Sequence, residues 1–377
     1  MRVQLIDIPA VTPPYDHALA GALARAGPDV ELITSPSPFG VAADSGYRVE
    51  ELFYRRGERL LRRGDAVPDG WRRRAWQATK PPAFVAGMAR LRRMTRRADV
   101  VHYQWLGLEE LAAPLLPPAR PRVWTAHDVL PREPRPRQRA AFGRLMQAMD
   151  AVVVHSEHGA ARLRDELGVE SGRIRVIPHG AFDRLARYED AAPLPPELED
   201  ASGPVILFFG FLSPYKGVDL LLEAFASVRG AELWVVGAPR VDMEELRSLA
   251  AGAPGRVRFV PRFVPEPEIP AFFRRADVVA LPYREIDQSG VLYTALPFGK
   301  PLVLTGVGGF SELGELGAAR VVTPGDREAL AAALQELVSD PAARERLGGA
   351  AAEAAATRYS WDEIARRTLG LYEELLG

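Results

Sequence analysis

The sequence predicts an α/β protein made of two successive, doubly wound parallel-sheet domains. Three observations carry this. Short apolar runs recur through both halves, each the length of a strand buried on two faces, and stretches of helical spacing alternate with them. The alternation collapses once, between Asp183 and Gly203, where the chain turns acidic and rich in Pro and Ala, as linkers do. The chain has 377 residues, 47% of them apolar, which is enough for two cores of ordinary size.

In order, Val3 to Ile8 reads as a buried strand and Tyr15 to Ala26 as a helix after a Pro-rich loop. Val30 to Ile33 is a second strand, ended by Ser35–Pro36–Ser37–Pro38. This is the βαβ rhythm of a parallel sheet. Further strands are predicted at 99–102, 123–126, 151–155 and 174–177, with helices up to Met149 and from Glu157 to Leu167. The second half restarts the rhythm with strands at 205–209, 232–236, 257–260, 278–281, 301–304 and 319–322. Helices are interleaved, among them 291–298 and 327–338. The reading divides the chain into a domain over 1–182, a linker over 183–203, a second domain over 204–356, and a helix within 357–377 that crosses back to the first domain. Two such domains present their ligand sites at the carboxyl ends of the strands, facing a shared central cleft.

Composition narrows the function. Cysteine is absent, which excludes disulfides and thiolate metal sites and fits a reducing compartment. The opening MRVQLIDIPA is too short an apolar stretch for a secretory signal. No window reaches the 18 or so uninterrupted apolar residues of a membrane span. A cytoplasmic location is therefore expected. The net charge of −1 hides an asymmetry: residues 53–97 hold 14 Arg or Lys against 3 Asp or Glu, a net of +11 that leaves −12 elsewhere. Arg55, Arg56, Arg59, Arg62 and Arg63, then Arg72 to Arg74, then Arg90 to Arg97 form clusters, with Trp71, Trp76 and Phe84 between them. Basic and aromatic residues so mixed predict a peripheral contact with anionic lipid on the inner face of the membrane. The plain alternative is a set of solvated helix faces. Nucleic acid is not expected, because no nucleic-acid-binding motif accompanies the charge.

The chemistry is most legible in VILFFGFLSPYKGVDLLLEAF, Val205 to Phe225. A buried strand ends at Gly210, a loop carries Lys216–Gly217, and helical spacing begins at Val218. A lysine at the mouth of a helix suits an anion, most often a phosphate. The spacing is not a P-loop, since Lys216 precedes its glycine and no GKS or GKT follows. An ordinary strand, turn and helix with a solvated lysine is the competing account.

Four stretches together resemble glycosyltransferase family 4, the retaining GT-B enzymes that use nucleotide-sugar donors. They are FFGFLSPYKGVDLLLEAF (208–225), ADVVALPYREIDQSGVLYTALPFGKPLVLTGVGGFSE (276–312), VHSEHGAARLRDELGVESGRIRVIPHG (154–180) and VWTAHDVLP (123–131). They span most of residues 120 to 330 in family order, whereas the first 100 residues match only in rhythm. The resemblance implies a GT-B fold of two Rossmann-like domains and transfer of a sugar from a nucleoside diphosphate sugar to a hydroxyl acceptor. It implies no cofactor. No metal is implied either, because no D-x-D occurs; nor does any G-x-G-x-x-G that would suggest nicotinamide or flavin.

Residue by residue, the resemblance places Lys216 on donor phosphate, where a fixed cation stabilises the leaving diphosphate. It places Glu285 near the transferred sugar and His127 beside the reaction centre, which makes these three the catalytic candidates. Gly210, Phe211, Arg284, Ser289, Gly290, Val291 and Thr294 join Lys216 as donor-site candidates. The family's arginine after the first loop glycine is replaced by Phe211, so another cation, Arg284 or Arg262, is expected to share the task. The family's second glutamate, which holds the ribose hydroxyls, falls on Tyr293 or Thr294, and neither is acidic. Ser289–Gly290 offers a helix start to the pyrophosphate, or simply a Ser N-cap. Tyr15 and Asp16, where many members carry a Gly-Gly loop, are the acceptor candidates, and Asp16 also reads as a helix cap. His102 reads as structural, His155 and His158 as no metal site, and His179 as a turn residue. Two other readings stay open: a non-catalytic nucleotide-sugar-binding scaffold, and a nucleotide-sugar epimerase or glycoside phosphorylase on the same fold.

Overall fold

A computed structural model describes residues 1–37, 46–55, 70–131 and 134–377, and of residues 70–73, 75 and 76 it describes the backbone only. Arg56, Arg59, Arg62 and Arg63 of the basic stripe lie outside the described residues, as do the side chains of Trp71, Arg72, Arg73 and Trp76. The chain divides into two compact units, Met1–Pro178 with Trp361–Gly377, and His179–Ser360.

The first unit holds a seven-stranded sheet in the order β3-β2-β1-β4-β5-β6-β7. Its strands are β1 (Arg2–Asp7), β2 (Asp29–Thr34), β3 (Arg48–Glu51), β4 (Val100–Trp105), β5 (Arg122–Thr125), β6 (Ala151–Val154) and β7 (Ile174–Val176). The second unit holds a six-stranded sheet in the order β10-β9-β8-β11-β12-β13. These strands are β8 (Val205–Phe209), β9 (Glu232–Val236), β10 (Val257–Val260), β11 (Val278–Leu281), β12 (Leu302–Thr305) and β13 (Ala319–Val322). Every pairing is parallel. In each sheet the order reverses beside the first strand, between β1 and β4 and between β8 and β11. Such a reversal opens a crevice at the carboxyl ends of the strands.

The central strands are the apolar runs of the sequence, and residues 205–208 and 278–281 are wholly buried. Strand β3 has no such run. Its RVEE lies on the sheet edge with Val49 39% exposed, so burial left no pattern to read. Helix α1 (Pro13–Arg25) begins two residues earlier than the spacing suggests, with Thr12 at its N-cap. Asp16 therefore lies inside the first turn and caps nothing. In helix α2 (Gly70–Met94), Phe84, Met88 and Leu91 face the core at helical spacing. The ring of Phe84 packs 6.3 Å from that of Phe53. Phe84 thus belongs to the core rather than to a lipid-facing surface.

The predicted linker is part of the second unit. Within 183–203, Leu198 is buried and Ala192 N–H donates to the Pro267 carbonyl at 2.9 Å. The acidic composition has a local cause. Arg258, its side chain 6% exposed, donates to Glu232 at 2.7 Å and also to Asp200 and to the Glu197 carbonyl. A buried guanidinium needs acceptors on every side, and this segment supplies two of them. The unit also begins earlier than residue 183: Ala181 N–H donates to Tyr359 O at 2.8 Å and Phe182 N–H to Tyr293 O at 2.9 Å.

Helix α3 (Val218–Phe225) follows β8, helix α4 (Gly290–Ala295) follows β11, and helix α5 (Trp361–Leu376) closes the chain on the first unit. Tyr372 of α5 reaches His102 of β4 at 2.5 Å, and His102 Nε2 lies 2.7 Å from Thr125 Oγ1. Burial holds the His102 imidazole down to about 3, so it is neutral at pH 7. It ties the helix to the sheet and reaches no ligand.

Candidate functional site

In the second unit the turns after β8, β9 and β11 meet backbone to backbone. Gly210 N–H donates to Val236 O at 2.9 Å. Gly237 follows with φ +144°, and a Cβ there would lie 2.0 Å from Gly210 O. Gly217 has φ +66°, and its Cβ would lie 2.1 Å from Pro282 O. At both places only a glycine lets the chains approach. Leu212 N–H donates to Ala238 O at 3.0 Å and Arg240 N–H to Leu212 O at 2.9 Å, which zips the first two turns together.

This frame holds Lys216. The residue ends a 3₁₀ turn, Pro214–Lys216, and is 8% exposed. Its Nζ lies 2.8 Å from where a Gly210 Cβ would be and 5.4 Å from the centroid of the Tyr283 ring. Val291 of α4 packs 3.2 Å from the same Gly210 position. Ser289 is buried, and its Oγ donates to the Tyr283 hydroxyl at 3.4 Å. Gly210, Lys216, Ser289 and Val291 are thus brought together around one ammonium group. Gly290 and Glu285 are exposed.

Two expected contributors are engaged elsewhere. Arg284 makes a two-pronged pair with Asp219 at 2.9 and 2.6 Å and donates to Pro214 O at 2.7 Å. Its own N–H donates to Tyr215 O at 2.7 Å. Arg284 therefore braces the lysine turn, and its charge is spent on Asp219, whose carboxyl the guanidinium holds below the usual range. Arg262 pairs with Glu268 at 2.5 Å. Each of the two cations that the sequence offered for the phosphate thus has a carboxylate partner of its own. The Thr294 hydroxyl donates to Gly290 O at 2.9 Å within its own helix, which leaves it only acceptor lone pairs and no carboxylate charge to offer a ribose. Tyr293 stacks on His179, ring centroids 4.2 Å apart, and its hydroxyl donates to Gln288 at 2.7 Å. His179 thus does more than close a turn.

In the first unit the ends of β1, β4, β5 and β6 gather a second cluster. His155 Nδ1 lies 2.9 Å from Ile177 O, so that nitrogen carries the hydrogen. Burial holds the ring down to about 4, hence neutral at pH 7. Its Nε2 then accepts from His127 Nδ1 at 3.2 Å. His127 Nε2 meets the Gln104 side-chain amide at 3.0 Å. A neutral His127 takes a hydrogen from that amide when its NH2 faces the ring, and a protonated one donates to its oxygen. Trp105 stacks on His127 with centroids 5.4 Å apart, and Tyr15 meets its face edge-on at 4.7 Å. A ring held at both nitrogens and packed between aromatic neighbours positions its surroundings.

Tyr15 and Asp16, the acceptor candidates, are 3% and 1% exposed, so neither offers a free face to an acceptor. Asp16 instead faces Asp7 across the β1–α1 connection. Asp7 Oδ2 accepts from the N–H groups of Val11 and Thr12 at 2.8 and 3.2 Å, and Thr12 Oγ1 donates to Asp16 Oδ2 at 3.4 Å. Each carboxyl keeps one buried oxygen, Oδ1, with no donor. A hydrogen bond joins the two carboxyls, and such a bond needs a proton on one of them. Burial raises both groups, and the charge and hydrogen bond of Asp7 push Asp16 further. The sequence reading missed Asp7, Gln104 and the histidine relay. A signal did exist for Gln104: in VVHYQW it shares a face with His102 by strand alternation.

Two family models match the chain, one in each half: "Glycosyltransferase Family 4" over residues 15–181 and "Glycosyl transferases group 1" over residues 203–340. Each half of the chain thus matches a glycosyltransferase model, of family 4 in the first half and of group 1 in the second. It is 31% identical over 248 residues to the D-inositol 3-phosphate glycosyltransferase of Acidothermus cellulolyticus, a match covering 62% of this chain and 55% of that protein. A protein of the same name from Kineococcus radiotolerans is 28% identical over 95% of this chain and 89% of its own length. The chain spans only 52% to 60% of the first curated relatives that it matches. HepE of Anabaena, solved in complex with UDP, superposes with a TM-score of 0.71 at 19% identity over 100% of each chain. Likeness at that identity shows the fold, which is GT-B.

The acid pair gives this chain a pH signature. Above the ordinary carboxylate value of 3.8 the unfolded chain ionises both groups while the native state keeps one proton. The stabilising term is then present below that value and is lost as pH rises toward the pair's own titration. Asp16→Asn, which still donates to Asp7, should remove this slope. Urea midpoints followed from about pH 4 to 8 check it: equal slopes for both proteins would contradict a shared proton.

Proposed function

We propose that the protein is a retaining glycosyltransferase whose second unit holds a nucleoside diphosphate sugar and which delivers the sugar to a hydroxyl acceptor. The observation that carries the reading is the buried ammonium of Lys216, set against Gly210 at the switch point between β8 and β11. The named activities of the relatives support it, as do HepE complexes with UDP and with UDP-glucose.

In this reading the glycosidic bond to the diphosphate breaks while the acceptor oxygen bonds the same sugar carbon on the same face. The acceptor proton passes to the departing phosphate oxygen. Lys216 meets the charge that grows on the diphosphate, and a fixed cation there favours the transition state over the ground state. That role needs no metal ion. Glu285 lies on the exposed stretch after β11 and faces the transferred sugar. His127, locked between Gln104 and His155, acts as a positioning residue. A non-catalytic nucleotide-sugar binder is the second reading, favoured by one observation: Thr294 offers an uncharged hydroxyl, already donating to Gly290 O, where the family has a carboxylate.

We place the protein in the cytoplasm, touching anionic lipid through its basic face. Among the described residues, Arg90, Arg92, Arg93, Arg96 and Arg97 are exposed on and just after α2, and Val85 is 46% exposed on the same helix. Each cation near such a surface contributes about 1 kcal/mol. No helix among the described residues is long and apolar enough to cross a membrane.

Lys216→Ala should weaken UDP by about 10- to 100-fold, the worth of one charge-assisted contact. Titration calorimetry reads this directly, and unchanged affinity would remove the donor site from this turn. Flotation should carry the protein with anionic vesicles and leave it behind with neutral ones. Equal behaviour would sink the lipid contact.

A further inference from the structure

The second unit leaves one cation of the β8–β9 turns unspent. Arg240 follows β9 and is exposed, and its guanidinium carbon lies 4.0 Å from the centroid of the Phe211 ring. Phe211 is itself 41% exposed, a large ring standing in solvent at the carboxyl end of a central strand. Stacking accounts for both: the ring gives the guanidinium a platform, and a cation over a ring face is attracted without being neutralised. Among the described residues no carboxylate pairs with Arg240. In contrast, Arg284 is spent on Asp219 and Arg262 on Glu268.

The backbone fixes where this charge can go. Arg240 N–H donates to Leu212 O at 2.9 Å, and Leu212 forms a bridge with Pro239. The arginine therefore hangs from the same short segment, 210–212, whose Gly210 lies against the Lys216 ammonium. A guanidinium held over a ring is not neutralised by it and keeps N–H groups for oxygen acceptors, the fork geometry that suits phosphate.

We propose that Arg240, presented on the Phe211 ring, is the second cation of the diphosphate site. It takes the place left by the aromatic residue at 211, and the ligand class is the diphosphate of a sugar nucleotide. The assignment rests on the donor reading above. Phe211 is then a positioning residue, and Arg240 contacts the ligand.

Calorimetry with UDP and with uridine on single and double variants tests it. Arg240→Ala should weaken UDP about 10-fold and leave uridine unchanged, and Arg240→Lys should recover part of the loss. Phe211→Leu should weaken UDP less than Arg240→Ala does. Phe211→Arg added to Arg240→Ala should restore UDP binding, because it returns a cation to the same turn. If Lys216→Ala weakens UDP while Arg240→Ala does not, the role of Arg240 is overturned and the donor site stands. If Arg240→Ala weakens UDP and uridine equally, its role is structural and the proposal fails. If neither variant affects UDP, the donor reading falls with it.

Discussion

The second unit depends on three turns that can meet only without side chains between them. Gly237 against Gly210 O and Gly217 against Pro282 O are contacts at 2.0 and 2.1 Å from the positions a Cβ would occupy. A methyl at either place forces backbone apart, and left-handed strain adds about 1–3 kcal/mol. What the close approach makes is a tight meeting of the turns after β8, β9 and β11, with the Lys216 ammonium against Gly210 and the Arg240 guanidinium over the Phe211 ring. The ion pair of Arg284 with Asp219 braces this turn from outside. That pair is close to half exposed on both sides, so its own worth is modest. Its importance lies in fixing Pro214–Lys216 by hydrogen bonds from both the Arg284 side chain and its backbone.

The first unit uses buried polar groups in a different way. His102, His155 and the Asp7–Asp16 pair are all kept from their ordinary charge by burial. The neutral His155 then accepts from His127 and donates to Ile177 O, while the other nitrogen of His127 meets Gln104, which makes one line. Strands β4, β5 and β6, whose carboxyl ends carry this line, are thereby held in fixed relation. Tyr15 brings α1 onto the same rings and onto Trp361 of α5, 5.1 Å away. The cluster reads as a rigid floor built from groups that would each be costly to bury alone.

The sheets were legible because their strands are buried on both faces and so must be apolar throughout. Strand β3 was not, since an exposed edge imposes no such demand. Lys216 was legible because a strand, turn and helix put it at a helix mouth within a few residues. The surroundings of Lys216 were not, because they come from elements far apart in the chain: Tyr283, Val291 and the Gly237 turn. For the same reason the pairing of Arg284 was not legible. Its partner Asp219 is 65 residues away, and nothing local shows that its charge is taken. Tyr15 and Asp16 looked like the exposed start of the helix, open to an acceptor, yet the helix starts at Pro13 and both are buried. The acidic run around 197–200 looked like a linker, and the buried Arg258 explains it.

The central claim is that a diphosphate binds at the Lys216 turn. A crystal structure of the protein with UDP tests it most directly. The account predicts phosphate oxygens within hydrogen-bonding distance of Lys216 Nζ, beside the Gly210 backbone. UDP seated away from this turn, with Lys216 untouched, would contradict it.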